Sequence, residues 1–284
     1  MDSGRSSLTR RHVVALFGVA AAGIVASESV RTRGRFTFNT AADFLYGAFG
    51  PRVPVQVAAT HPMQYLLSPP RHRRSARDRI VQPRALVIGI DGSDHDFRGY
   101  HAAFVRARRD LPFALVTPFV VSNGGRRHPS DYPYSEQALA TAAKDPLGFD
   151  VEGVSAIIDD VRARFGATLP VYVTGFSAGG HLAWLLLFNY SNWLAGAAFA
   201  SANFAARGIN SESDRASTTP VPVRAFAGEV DPLSEVLRAQ WETARTLAAQ
   251  RGFRDLTRVV VPGAGHSPFA RQVLEYFAAL ANGR

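Results

Sequence analysis

The stretch PVYVTGFSAGGHLAWLLL, residues 170–187, decides the fold. Its first half is a short β-branched apolar run, the profile of a strand buried on both faces. Its second half is an apolar run that continues to Tyr190, too long for a strand, and reads as a helix. Between them Gly175-Phe176-Ser177-Ala178-Gly179 sets one serine on the bend, with glycines on both sides. So sharp a bend needs glycine, because a Cβ there would meet neighbouring backbone. Ser177 is thus a nucleophile or merely a turn residue, and the rest of the chain has to decide between them.

Outward from that bend the pattern repeats. Strands are expected at 62–70, 84–90, 112–121, 194–201, 222–228 and 256–263. Helices are expected at 97–110, 150–166, 235–252 and 269–281, the second with Asp150 as its N-cap and Gly166 as its stop. Residues 33–57 carry only weak patterning, and 122–137 reads as a long loop. Buried strands alternating with helices require crossover connections and a mostly parallel sheet with helices on both faces. No repeat or linker divides the chain, so residues 27–284 are expected to form one α/β domain.

Composition narrows the chemistry. With no cysteine, the 284-residue chain has no disulfide, thiolate metal site or cysteine nucleophile. The formal charge of +9 comes almost entirely from arginine, Lys144 being the only lysine. Much of the excess lies before residue 36 and in RHRRSARDR, 71–79, where no stacking aromatics interleave. That reads as a solvated surface segment, and no nucleic-acid partner is expected.

The N-terminus reads as an address. Arg5, Arg10 and Arg11 precede an apolar stretch, residues 13–26, that is shorter than the roughly twenty residues a membrane span needs. Small residues near Ala26 and Ser27 suit a signal peptidase. Thr9-Arg10-Arg11 resembles a twin-arginine signal, so residues 1–26 are expected to direct export to the periplasm or beyond, without a lasting membrane anchor.

A serine hydroxyl attacks only when a neighbouring base takes its proton, and the base needs an acid to orient it. His266 lies in VPGAGHSPF, on a glycine-rich loop directly after the strand ending near 262. Asp231 lies three residues beyond Gly228, after the preceding strand, with Glu229 as a rival acid. The order Ser177, Asp231, His266 is that of the G-x-S-x-G hydrolases, and all three follow strands on one edge of a parallel sheet. His61, His95 and His101 precede the serine, and His181 sits on the helix after it, where it cannot reach back. The oxyanion hole is expected to use the backbone N–H of Ala178 and one from DGSDHDF, residues 91–97: Ser93, ahead of Gly92 and Asp94.

These residues together resemble the α/β-hydrolase superfamily, and within it the secreted polyhydroxybutyrate-depolymerase and feruloyl-esterase-like branch. The resemblance spans roughly residues 62–284 and rests on VYVTGFSAGGHLAWLLL, LAGAAFAS, GEVDPL and GAGHSPF. It implies an α/β-hydrolase fold and a serine carboxylic-ester hydrolase of the acyl-enzyme type. Ser177 would be the nucleophile, His266 the general base and Asp231 the orienting acid, with no metal or cofactor. The partner would be a small or oligomeric ester. Two departures stand out: Asp91-Gly92 replaces the branch's usual His-Gly, and its disulfides are absent. A serine peptidase or other acyl-transfer enzyme on the same triad, and a non-catalytic envelope protein that kept the architecture, are the alternatives. Tyr132, Tyr134 and Trp193 could contact substrate but are expected to serve as aromatic core or surface packing, and the polar connection 201–220 either lines or covers the site or is a plain surface excursion.

Overall fold

A computed structural model of the chain describes residues 53–72, 79–124, 132, 134–210 and 221–283. The expected export segment, residues 1–26, lies outside them, as do His12 and His128.

One sheet of 8 strands organises the protein. The strands are β1 (Val55–Val57), β2 (Gln64–Ser68), β3 (Ala85–Ile90), β4 (Phe113–Pro118), β5 (Val171–Phe176), β6 (Gly196–Ala200), β7 (Val223–Gly228) and β8 (Leu256–Val261). Their order across the sheet is β1-β2-β4-β3-β5-β6-β7-β8. β2 runs antiparallel to both neighbours, and every other pairing is parallel. Arg71–His72 and Arg79–Ile80 form a separate small hairpin at the base of the basic segment.

Among the described residues six α-helices accompany the sheet: α1 (Phe97–Arg108), α2 (Glu136–Lys144), α3 (Pro146–Phe165), α4 (Gly180–Asn189), α5 (Ser234–Gln250) and α6 (Ala270–Ala281). Successive strand residues point to opposite faces, which is why the strands read as unbroken apolar runs. Leu86, Ile88, Ile90, Val173 and Phe199 pack into the layer that holds α2, α3, α4 and α5. Val87, Tyr172, Ala198 and Phe226 pack into the layer of α1 and α6. Trp184 of α4 stacks on Phe199 of β6 with ring centroids 3.5 Å apart, and truncating so buried an indole costs about 3–5 kcal/mol.

Two local readings change. Helix α3 starts at Pro146, with Asp145 as N-cap accepting from the Gly148 amide at 2.9 Å, so Asp150 is not a cap. Asp150 is instead fully buried one turn inside, where its carboxylate takes the amides of Val121 and Ser122. The region read as a long loop contains α2, which Ser135 caps by accepting from the Ala138 amide at 3.2 Å. From β3 the chain steps to β4, then returns across β3 to β5 and continues the other way through β8. The strand order therefore reverses between β3 and β5, the place where a crevice opens beyond the carboxyl ends.

Candidate active site

Ser177 stands at the carboxyl end of β5, the first residue of a 3-10 turn that leads into α4. Its φ is +49°, a left-handed conformation costly for a residue with a side chain. The flanking glycines make the bend possible. A Cβ on Gly175 would lie 2.7 Å from the Gly179 carbonyl oxygen, and one on Gly179 would strike the carbonyls of Ile90 and Asp91. The turn is tied down on its far side, where the Asn203 amide donates to the Ser177 carbonyl at 2.8 Å. The start of the 201–220 excursion thus packs against the bend, and residues 211–220 lie outside the described ones.

Asp231 and His266 are brought together by the ends of β7 and β8. Nδ1 of His266 lies 2.8 Å from Oδ2 of Asp231, whose residue is only 3% exposed. That carboxylate also accepts from the Leu233 amide and the Ser201 hydroxyl, both at 2.9 Å. Burial acts to raise the Asp231 pKa, but the bonds from His266, Leu233 and Ser201 outweigh it and hold the group below its ordinary value. The carboxylate is therefore ionised at neutral pH. A ring nitrogen bonded to a carboxylate carries a proton, so Nδ1 of His266 is the donor of this pair and Nε2 faces away from it. Gly228 makes the approach possible, since a Cβ there would strike the carbonyls of Ala264 and Gly265 in the histidine loop.

Glu229, the rival acid, is exposed and turned elsewhere: its Oε2 accepts from the Gly263 amide at 2.7 Å. The ring of Phe176, the residue before Ser177, lies 5.0 Å from the His266 ring, so the histidine loop folds over the end of β5.

The loop after β3 meets the same place. A Cβ on Gly92 would lie 3.2 Å from the Ser177 Cβ. The Gly92 amide is occupied, donating to Oδ1 of Asp91 at 2.7 Å. Ala178 follows Ser177 in the 3-10 turn, where the first amides have no partner inside the turn. Ser93, next along the loop, is half-buried.

The remaining sequence candidates have other partners. Tyr134 is core, donating its hydroxyl to the Phe119 carbonyl at 2.5 Å. Tyr132 packs beside His95, with hydroxyl-to-ring-nitrogen distances of 2.9 and 3.0 Å. Trp193 lies past the far end of α4, just before β6 begins, because that helix returns the chain to the opposite edge of the sheet. Sequence reading missed two buried polar residues: Ser201, at the end of β6, and Asn123, after β4. Ser201 carries a trace of its role in its place at a parallel-strand carboxyl end; Asn123 sits in an unpatterned loop and carries none.

No protein-family profile and no curated protein matches the chain. Solved structures do. TT1662 from Thermus thermophilus superposes with a TM-score of 0.55 at 20% identity, over 82% of this chain and 100% of its own. The S-formylglutathione hydrolase FrmB from Staphylococcus aureus gives 0.55 at 13% identity, over 81% and 96%. LpqC, a poly(3-hydroxybutyrate) depolymerase from Bordetella parapertussis, gives 0.50 at 17% identity, over 87% and 95%. With the mostly parallel sheet and its two helical layers, these likenesses show that the chain has the α/β-hydrolase fold.

Proposed function

We propose that the protein is a serine carboxylic-ester hydrolase working through an acyl-enzyme. The observation that carries this reading is the pairing of buried Asp231 with half-buried His266, 2.8 Å apart, at the same sheet edge as a serine held at a φ of +49°. A loop histidine has no need of a buried carboxylate.

In the reaction, Ser177 Oγ attacks the ester carbonyl carbon as Nε2 of His266 takes its proton. The amides of Ala178 and Ser93 hold the oxyanion. The intermediate collapses by breaking the bond to the alkoxy oxygen, which leaves as alcohol with the proton from His266. Water then attacks the acyl group, His266 again takes the proton, and Ser177 is released with the acid. Every atom and proton is supplied by substrate, water and these side chains. The hydrolase and esterase activities named for structural neighbours support this class, and the resemblance in sequence supports the exported, polyhydroxybutyrate-depolymerase-like branch. Ser177→Ala should abolish hydrolysis of p-nitrophenyl butyrate while the melting temperature stays near that of the parent. Retained turnover would remove the serine from the chemistry, and faster cleavage of peptide amides than of esters would move the protein to the peptidases.

A further inference from the structure

We propose that Asn123 is a positioning residue for the oxyanion hole: by holding the Gly92 carbonyl, it aims the Ser93 N–H on the opposite side of the same peptide. The inference rests on the esterase reading above and goes a step deeper into its machinery.

Asn123 follows β4 and is 4% exposed. Its Nδ2 donates to the carbonyl oxygens of Asp91 at 2.8 Å and Gly92 at 3.0 Å. Two carbonyls facing one side-chain amide fix its orientation, because an oxygen in that place would be repelled by both. The Gly92 carbonyl and the Ser93 N–H belong to one planar trans peptide, in which they point in opposite directions. To hold the first is to aim the second. The His95 amide reaches the same Gly92 oxygen at 3.4 Å. On its other flank the loop abuts the nucleophile bend, through the Gly92–Ser177 approach already described. The peptide is thus held between a polar clamp and the bend.

The clamp is itself anchored. Asp150, on α3 and 0% exposed, accepts from the Val121 amide at 3.0 and 3.1 Å and from the Ser122 amide at 2.8 Å. A polar relay therefore runs from α3 through the loop after β4 to the loop after β3. Burying a carboxylate and an amide is costly unless they satisfy groups that would otherwise be stranded. Here they satisfy the backbone of two irregular loops, and an oxyanion hole works only if its donors are already aimed when charge develops.

Three chains test this: the parent, Asn123→Ala and Asn123→Asp, which puts an oxygen where a donor stood. A peptide free to rotate should lower kcat on p-nitrophenyl butyrate about tenfold to a hundredfold and leave KM within about twofold. Affinity for a trifluoromethyl ketone, whose tetrahedral adduct on Ser177 carries the oxyanion, should weaken by the same factor. Unchanged kcat and ketone affinity in folded variants would overturn the proposal. A second measurement needs no variant: in the parent, ketone binding should move the Ser93 amide proton resonance downfield. A Ser93 resonance that stays put while the adduct forms overturns it as well. A parent chain that neither hydrolyses esters nor forms the adduct brings down the esterase reading and this inference together. An active parent with an indifferent Asn123 brings down the inference alone.

Discussion

Ser201 donates its hydroxyl to Oδ2 of Asp231 at 2.9 Å, the same carboxylate oxygen that lies 2.8 Å from Nδ1 of His266. Ser201 itself has a φ of +42°, the second strained serine at the carboxyl edge. Its bond helps keep Asp231 ionised. A carboxyl whose pKa is lowered by folding stabilises the protein above its unfolded value of 3.8, and that contribution is lost as pH falls through the folded value. Ser201→Ala should therefore cost about 1–2 kcal/mol near neutral pH, and much less in acid once the carboxyl is protonated. Urea unfolding of both proteins along a pH series falling from about 7 into acid checks this; a cost that stays constant throughout would separate Ser201 from the titration.

Asp150 predicts the opposite slope. Burial pushes its pKa up from 3.8 to about 7, against the bonds from Ser122 and Val121. A carboxyl raised by folding contributes most below its unfolded pKa, and the contribution disappears as pH rises through the folded value. Asp150→Asn cannot ionise, so the stability of the parent relative to this variant should fall as pH climbs from about 4 to about 8. The reading is the difference in melting temperature across that range. A difference that stays flat would mean the carboxyl does not titrate there.

The glycines at the bend should separate rate from stability. Gly179→Ala drives a methyl into the carbonyls of Ile90 and Asp91, backbone that cannot swing aside, and should cost about 3 kcal/mol. Gly92→Ala meets Ser177 Cβ at 3.2 Å and the Phe176 ring at 3.3 Å, contacts that can yield by tenths of an ångström. Its melting temperature should move little while kcat falls about tenfold or more, since sub-ångström shifts at the proposed nucleophile are costly. Thermal unfolding beside ester turnover decides both.

A fourth expectation concerns acid sensitivity away from the site. His101 is buried between the hydroxyls of Ser68 at 2.8 Å and Thr117 at 2.9 Å. Burial first, then the charges of Arg108 and Arg98, lower its pKa from 6.5 to about 3. Above pH 6.5 the neutral His101 costs the fold nothing. As pH falls from there toward 3, the unfolded chain takes up a proton that the folded one refuses, and stability drops by up to roughly 1.4 kcal/mol for each pH step of one. His101→Gln keeps hydrogen-bonding capacity without a titration, so its acid-unfolding curve should be flatter over that interval. Matching acid slopes would rule out this histidine as a cause.

The architecture was legible because its information is periodic and local. Buried strands announce themselves as unbroken apolar runs, and the bend at Ser177 by the two glycines its backbone requires. The choice of Asp231 over Glu229 was also within reach: two residues further out, Asp231 has room to turn in beneath the histidine loop, while Glu229 stays exposed at the strand's end. Helix α2 escaped because its nine residues bury only Ala138 and Ala142, too small an apolar stripe to register. Asp150 was misread because a carboxylate near a helix start looks like a cap, and only tertiary structure shows the loop amides it meets. Asn123 could not be found, since its partners are backbone carbonyls that no side-chain pattern encodes.

The placement of His266 has a consequence for how the protein is made. The imidazole follows β8, which among the described residues lies at the sheet's edge and pairs with β7 alone. During synthesis the alcohol at 177 emerges long before His266, the base proposed to activate it. On the esterase reading, a nascent or truncated polypeptide that stops short of residue 266 carries the serine without its proposed base, and reactivity toward esters waits until the last strand docks.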